Sequence, residues 1–375
     1  MITETVAHAA APRHVWHVWA GPAAAGVLVL LDAAGIVQLG SGAIAFVAAA
    51  LLLVSVFAAV HHADVLAERV GQPFGSILLA IAVTVIETSL IVSIMLSAGG
   101  HASEGVPGDE VLRDAVFAAL MLILNGILGL CLLIGGWRHR EQAFQSQGAA
   151  AALGVLGTLA TLALILPNYT LAEPGPFYAP PQLIFVAVIS VVLYALFLFA
   201  QTVRHRADFL DTGDDGPHDA PRPSGRATAA SGAVLLVALV AVVLIAEDLS
   251  PAVEGVIRDA GLPGAVVGVV IAAVVLLPEG VTALRAAWTN RPQTAINLAL
   301  GSALASIGLT IPTVAVVSLW LDLPLALGLE KEHVALLVLS LFIATLTLAR
   351  GRTTVLQGGV HLVIFGAFLT IAVMP

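Results

Sequence analysis

Two glutamates stand where an apolar chain has no ordinary use for a charge. Glu87, in "AVTVIETSL", lies near the middle of the uncharged remainder of residues 74–98, and Glu279 interrupts a second apolar run in "VVLLPEGVTAL". An ionised side chain at the centre of a bilayer costs at least about 2.5–3.5 kcal/mol on insertion scales, so such residues face a cavity and mark ion or proton paths. Two facing carboxylates suit a small hard cation, which takes oxygen ligands from carboxylates, carbonyls and hydroxyls. Without a cation the two repel and lack hydration, so one or both hold protons. The pair binds cation or protons, and not both at once. That competition is the chemistry of exchange.

Neutral oxygens that could complete such a site lie on other apolar runs. "TAINLALGSALASIGLTIP" carries Asn297, Ser302, Ser306 and Thr310, and "FAALMLILNGILGLCLLIGG" carries Asn125. Thr84 lies three residues before Glu87. Pro278, beside Glu279, cannot donate a helical hydrogen bond and so frees a carbonyl that could serve as a ligand. Glu87 and Glu279 are the expected metal ligands, with Thr84, Asn125, Ser306, Asn297, Ser302 and Pro278 as further cation or proton contacts. His62, Glu68 and Glu254 are expected to line a vestibule or relay. Asp32 reads as an interfacial or pairing residue and His361 as a satisfied core histidine.

The elements that must position these residues are membrane spans. Of 375 residues, 59% are hydrophobic and 10% charged, where soluble domains carry about a quarter charged. Windows of about 20 apolar residues recur, the length that crosses a hydrocarbon core. Lipid cannot satisfy backbone groups, so the spans are helices. Eleven are expected, at about 18–38, 42–60, 74–97, 114–135, 148–166, 182–203, 230–247, 263–285, 293–320, 333–349 and 354–374. With the N-terminus in the cytoplasm, only Arg113, Arg258 and Lys331 of the fifteen basic residues fall outside. This bias predicts a cell (inner) membrane protein with N-terminus in and C-terminus out.

"VLAERVGQPFGSILLAIAVTVIE" resembles "AVEGVIRDAGLPGAVVGVVIAAVVLLPE": each has an amphipathic segment, Gly-x-Pro, then an apolar run reaching a glutamate. The expected architecture is therefore an all-α integral membrane protein with one N-terminal helix and two inverted five-helix repeats, the site lying between them. The divisions are 1–41 (tail and first helix), 42–203 (first repeat), 204–229 (acidic cytoplasmic linker) and 230–375 (second repeat). The polar, histidine-bearing start lacks the pattern of a secretory signal and reads as a short tail. Cys131 is the only cysteine, which excludes a disulfide within the chain. Nothing suggests nucleic acid or a bound cofactor. The partners are inorganic cations, protons and the bilayer, and whether copies form a homo-oligomer is not set.

The stretches "HADVLAERVGQPFGSILLAIAVTVIETSLIVSIM", "LLPEGVTALRAAWTNRPQTAINLALGSALASIGLTIP" and "GRTTVLQGGVHLVIFGAFL" closely resemble the ChaA-type calcium(sodium)/proton antiporters of the cation/Ca²⁺ exchanger superfamily. The resemblance covers nearly the whole chain. It implies the eleven-helix exchanger fold and extrusion of Ca²⁺, with Na⁺ or K⁺ open, in exchange for H⁺ by alternating access. Proton-coupled relatives carry Gly-Asn-x-x-Glu in each half. Here the glutamates match, while Val83-Thr84 and Val275-Leu276 replace the Gly-Asn pairs. Strict Ca²⁺ selectivity does not carry over with the glutamates, and an Na⁺(K⁺)/H⁺ antiporter without Ca²⁺ transport is one alternative. A passive cation channel is another, and would show flux without proton coupling. An intramembrane hydrolase would need a nucleophile with a base or paired histidines within the spans, and neither occurs. The chain is not expected to be an enzyme.

Overall fold

The computed structural model describes residues 16–70, 82, 84–85, 87–89, 92, 110–211, 223–263 and 265–374. Nearly all of them are helical. Helix α1 (His17–Ala33) is followed by α2 (Gly42–Val70). Helix α3 (Glu110–Met121), a π-helical turn at Leu122–Ile127 and α4 (Leu128–His139) make one continuous rod. Then come α5 (Ser146–Ala160), with a π turn at Thr161–Ile165, and α6 (Pro180–Phe199). The second half runs through α7 (Gly225–Asp259), α8 (Ala265–Trp288), α9 (Pro292–Ala305), a π turn at Ser306–Thr310, α10 (Ile311–Leu321), α11 (Lys331–Leu348) and α12 (Val355–Val373).

Among the described residues nine helical stretches are long and apolar enough to cross a membrane, and α1, at 17 residues, is a shorter apolar helix. The expected span at 74–97 lies mostly outside the described residues, although 82, 84–85, 87–89 and 92 within it are helical. Lipid-facing stripes are evident: α6 exposes Phe185, Val188, Val192, Leu196 and Phe199 at helical spacing. All five tryptophans sit near helix ends, where an indole can keep its N–H in the headgroup layer while its ring stays in lipid.

Two helices are longer than their apolar stretches. The spans expected at 42–60 and 230–247 are the helices α2 and α7, whose polar ends continue unbroken to Val70 and Asp259. Nothing in 61–70 or 248–259 stops a helix except Pro251, which α7 carries inside it. Helix α7 also starts before the expected end of the linker. Ser224 caps it, its Oγ accepting from Ala227 N at 3.2 Å, and this residue sets the boundary.

The two halves use the same joints. Helix α4 packs on α12 as α10 packs on α6. The main core runs through α3–α6 and α8–α12, with Phe117, Leu124, Leu156, Leu304 and Ile311 at its centre. Helices α1, α2 and α7 stand apart, joined by two smaller clusters, one of which includes Val56, Ala59, Ala63, Leu235, Ala238 and Val242. At one end a two-residue antiparallel pair, β1 (Gln142–Ala143) with β2 (Arg352–Thr353), ties the loop after α4 to the loop before α12.

The α4–α12 crossing depends on glycine. A Cβ on Gly136 would land on the backbone of α12's first residues, 2.7 Å from the Thr354 carbonyl carbon, and one on Gly358 would fall 2.7 Å from Leu133 Cα. Gly154 on α5, by contrast, has open space around its Cβ position. Gly136→Ala is expected to destabilise the protein by about 1–3 kcal/mol through overpacking, while Gly154→Ala is expected to change stability by no more than about 0.5 kcal/mol. Unfolding midpoints of the two purified variants in detergent check both.

Candidate functional site

Both glutamates meet the same helix. Ser306 Oγ donates to Glu87 Oε1, and Ser302 Oγ donates to Glu279 Oε2 at 2.5 Å. Ser302 lies in the last turn of α9 and Ser306 opens the π turn, one helical turn on, so one rod presents both hydroxyls. Glu87 is 8% exposed and Ser306 1%. The two carboxyls are thus held by hydroxyls four residues apart on the same rod. Around them the polar lining continues: Thr88 Oγ1 and Thr310 Oγ1 are 3.1 Å apart, both buried, and Thr84 is buried one turn before Thr88.

Local sequence explains how these groups arrive. Pro278 is buried inside α8, where its missing N–H leaves the Val274 carbonyl without a helical donor one turn before Glu279. Thr282 Oγ1 donates to the Pro278 carbonyl at 2.9 Å, steadying the turn that holds Glu279. The π turn at Ser306–Thr310 inserts an extra residue, so the side chains after it leave the face that a regular α-helix would give them. The close approach of α8 to α3 uses Gly268, whose Cβ position is 3.3 Å from Ala115 N. In α9 the first N–H groups are satisfied from a distant segment. Asp211 Oδ1 accepts from Gln293 N at 3.0 Å and Thr294 N at 3.4 Å, and Asp211 Oδ2 accepts from Thr294 Oγ1 at 2.5 Å and Arg291 Nε at 3.2 Å. The start of the linker thereby anchors the helix that carries both serines.

The structure joins Glu87 to Ser306 and Glu279 to Ser302, keeps Thr84 and Pro278 buried on the helices that carry the two carboxyls, and gives the other sequence candidates different partners. Asn125 lies in the π turn of the first half, matching Ser306 in the second. Its amide, however, donates to Ser340 Oγ at 2.8 Å and pairs through Oδ1 with His361 Nδ1 at 3.1 Å, and His361 Nε2 lies 3.3 Å from Thr347 Oγ1. That buried network joins the first π turn to α11 and α12, and His361 is a satisfied core histidine, as its sequence context suggests. Asn297 donates to the Phe209 carbonyl at 2.6 Å and accepts from Gln293 at 2.9 Å, one turn or more from Ser302 towards the linker. His62 is fully buried against α1, with Nε2 3.1 Å from the Val18 carbonyl and its ring edge-on to Trp19. Glu68 is exposed at the end of α2. The Glu254 side chain lies outside the described residues, and its backbone is within α7.

Two residues beside the site have weaker sequence signals. Thr88 sits next to Glu87 in "ET" and is passed over because the glutamate draws attention. Tyr194 is the one hydroxyl-bearing aromatic in the run 182–203. It is buried on α6 and packs against Gly308 of the π turn.

The comparisons agree with this architecture. The family described as "Sodium/calcium exchanger protein" matches residues 41–203 and 230–374, and the chain belongs to that family. A relative from Sinorhizobium fredii, named "Putative ionic transporter y4hA", is 52% identical over 95% of this chain and 96% of its own. The "Sodium-potassium/proton antiporter ChaA" of Escherichia coli is 33% identical over 85% of each chain. The solved structure of the H⁺/Ca²⁺ exchanger CAX superposes with a TM-score of 0.69 at 16% identity, covering 94% of this chain and 88% of that one, and so shares the fold.

Ser302→Ala and Ser306→Ala are each expected to weaken apparent cation affinity by about tenfold, the scale of one hydrogen bond to a charged group. Asn297→Ala is expected to leave affinity unchanged. Cation-dependent proton flux in proteoliposomes, titrated with Ca²⁺ and Na⁺, distinguishes the three.

Proposed function

We propose that this chain is a proton-coupled cation antiporter. It exports Ca²⁺, or Na⁺ or K⁺, in exchange for protons, and Glu87 and Glu279 alternate between cation and protons as the bundle opens to one side and then the other. The observation that carries this reading is the convergence of two carboxyls from opposite halves on Ser302 and Ser306 of one helix. A carboxyl that accepts a single hydroxyl hydrogen bond keeps lone pairs for either a proton or a cation. Deep in lipid, two bare carboxylates are strongly disfavoured, so releasing the cation favours taking up protons. That linkage makes the transport an exchange rather than a leak.

The cation set has support in two directions. The fold is shared with an H⁺/Ca²⁺ exchanger, and two carboxylates with neutral oxygens suit Ca²⁺. The 33% identical relative is named for Na⁺ and K⁺, and Thr84 in place of an amide offers a smaller ligand set. The second reading is therefore a monovalent cation/proton antiporter.

The orientation we infer, N-terminus in the cytoplasm and C-terminus outside in the cell membrane, is supported by where the basic residues gather. Arg113 and Lys331, two of the three on the sparse side, line one cavity of about 1180 Å³. Arg291 pairs with Asp211 at 3.2 Å and Arg352 with Glu141 at 3.3 Å, while Arg138 lies 4.5 Å over the Trp288 ring, all on the side of the loops that follow α4 and α8.

Everted vesicles carrying Glu87→Gln or Glu279→Gln are expected to lose cation-dependent collapse of a pH gradient, for Ca²⁺ and for Na⁺ and K⁺ alike. Near-normal exchange in both variants would overturn the assignment. Wild-type vesicles assayed with each cation in turn separate the divalent from the monovalent reading.

A further inference from the structure

The helix that presents both serines takes its first-turn contacts from a distant part of the chain. Arg291, at the N-cap of α9, carries no acceptor to offer that turn. Its side chain donates instead to Asp211, and the same carboxylate receives Gln293 N, Thr294 N and Thr294 Oγ1. Asp211 lies 82 residues before Gln293, and its side chain is 11% exposed. Other helices are capped locally. Ser224 serves α7, Gln182 accepts from Ala179 N ahead of α6 at 3.0 Å, and Gln357 accepts from Thr354 N ahead of α12 at 2.9 Å. A local cap travels with its helix. A cap held by another element fixes the helix against that element.

The segment that carries Asp211 is itself seated on the first half. The 3₁₀ turn at Arg206–Phe209 buries the Phe209 ring edge-on to Phe197 of α6, with centroids 5.9 Å apart. Helix α5 meets the same turn through Gly148, where a Cβ would fall 3.1 Å from the Asp208 carbonyl carbon. Between the two helix starts, the fully buried Gln293 accepts from the backbone N–H of Gln145, the N-cap of α5, at 2.7 Å. The start of α9 is thereby keyed to α5 and α6. Thr294 stands eight residues before Ser302 and twelve before Ser306, about 12 and 18 Å along the rod. O–H···O bonds span only about 2.5–3.0 Å, so an axial shift of about 1 Å at the start of the rod is enough to undo both serine contacts.

We propose that Asp211 is a positioning residue for Ser302 and Ser306: by anchoring the start of α9 to the first half, it sets the reach of both hydroxyls to Glu279 and Glu87. This rests on the exchange reading above, and it places control of ion affinity at a residue that acts through the two serines. A carboxylate suits the task because it offers two oxygens to four donors, whereas an amide would offer one.

The test uses the full chain in proteoliposomes, with Ca²⁺- and Na⁺-dependent proton flux read at one pH for wild type, Asp211→Ala, Asp211→Asn, Thr294→Val and Gln357→Ala. Asp211→Ala is expected to raise the cation KM about tenfold, with the maximal rate held within about twofold. Asp211→Asn and Thr294→Val keep an oxygen on the two backbone N–H groups, and each is expected to raise KM about threefold. Gln357→Ala removes a cap of the local kind and is expected to lower Tm while leaving KM unchanged. In Ser302→Ala and in Ser306→Ala, the added effect of Asp211→Ala is expected to fall to about threefold, because one of the two contacts through which it acts is already gone. Wild-type KM in both Asp211→Asn and Thr294→Val, a full tenfold effect in both serine backgrounds, or an equal KM change in Gln357→Ala would each overturn the proposal. Absence of proton-coupled flux in the wild type would instead overturn the exchange reading on which it stands. Cation-induced shifts in Tm of the same purified variants follow affinity without transport, and equal shifts in wild type and Asp211→Asn would overturn the positioning role by itself.

Discussion

The structure turns on keeping two carboxyls side by side where water cannot reach them freely. Each would be strongly disfavoured alone as a charge, and the pair more so, unless something neutralises them. A single helix answers part of that cost by offering Ser302 to one and Ser306 to the other. Because both hydroxyls ride on one rod, any displacement of α9 changes both contacts together. The position of that rod is set at its start by Asp211, which accepts from two of its backbone N–H groups and from Thr294. The linker between the halves is thus mechanically continuous with the site.

The repeat is symmetric in its framework and asymmetric in its chemistry. Each half has a π turn in the corresponding rod and an aromatic ring seated on a glycine of that turn. In the second half the turn releases Ser306 towards a carboxyl. In the first, Asn125 is taken up by Ser340 and His361. A saturated amide is a strut, whereas a hydroxyl facing a carboxyl can exchange partners. The first half thus has its π turn closed within its own network, while the second half's π turn faces the Glu87 carboxyl.

Most of this was legible in the residues. The apolar background made Glu87 and Glu279 conspicuous, and the small-residue run of α9 marked Ser302 and Ser306. What composition and period cannot give is the face of a helix at a π turn, since one inserted residue swings every later side chain away from a 3.6-residue pattern. Asn125 and Ser306 both lie in π turns, and what separates them is what each turn meets: Ser340 and His361 for Asn125, Glu87 for Ser306. Asn297 lies five residues before Ser302, off the face that meets Glu279, and bonds the Phe209 carbonyl towards the helix start. Asp211 was hidden among linker acids, because capping a helix from some 80 residues away leaves no local signature. The lengths of α2 and α7 were underread because a polar sequence marks where lipid ends, and helices need not end there.

The seam between α2 and α7 has a mechanical character of its own. Its buried contacts include Ala59, Ala63 and Ala238 among a few valines and leucines, and it meets the rest of the molecule through small residues such as Ala82 and Val275. Large interdigitating side chains resist sliding because every knob must climb out of its hole. Alanines give a surface of low relief, and Ala63 follows Ala59 by four residues, a rise of about 6 Å along the axis. Such a seam lets two long helices run close together over many turns, with Val56, Leu235 and Val242 as the larger side chains that set their register.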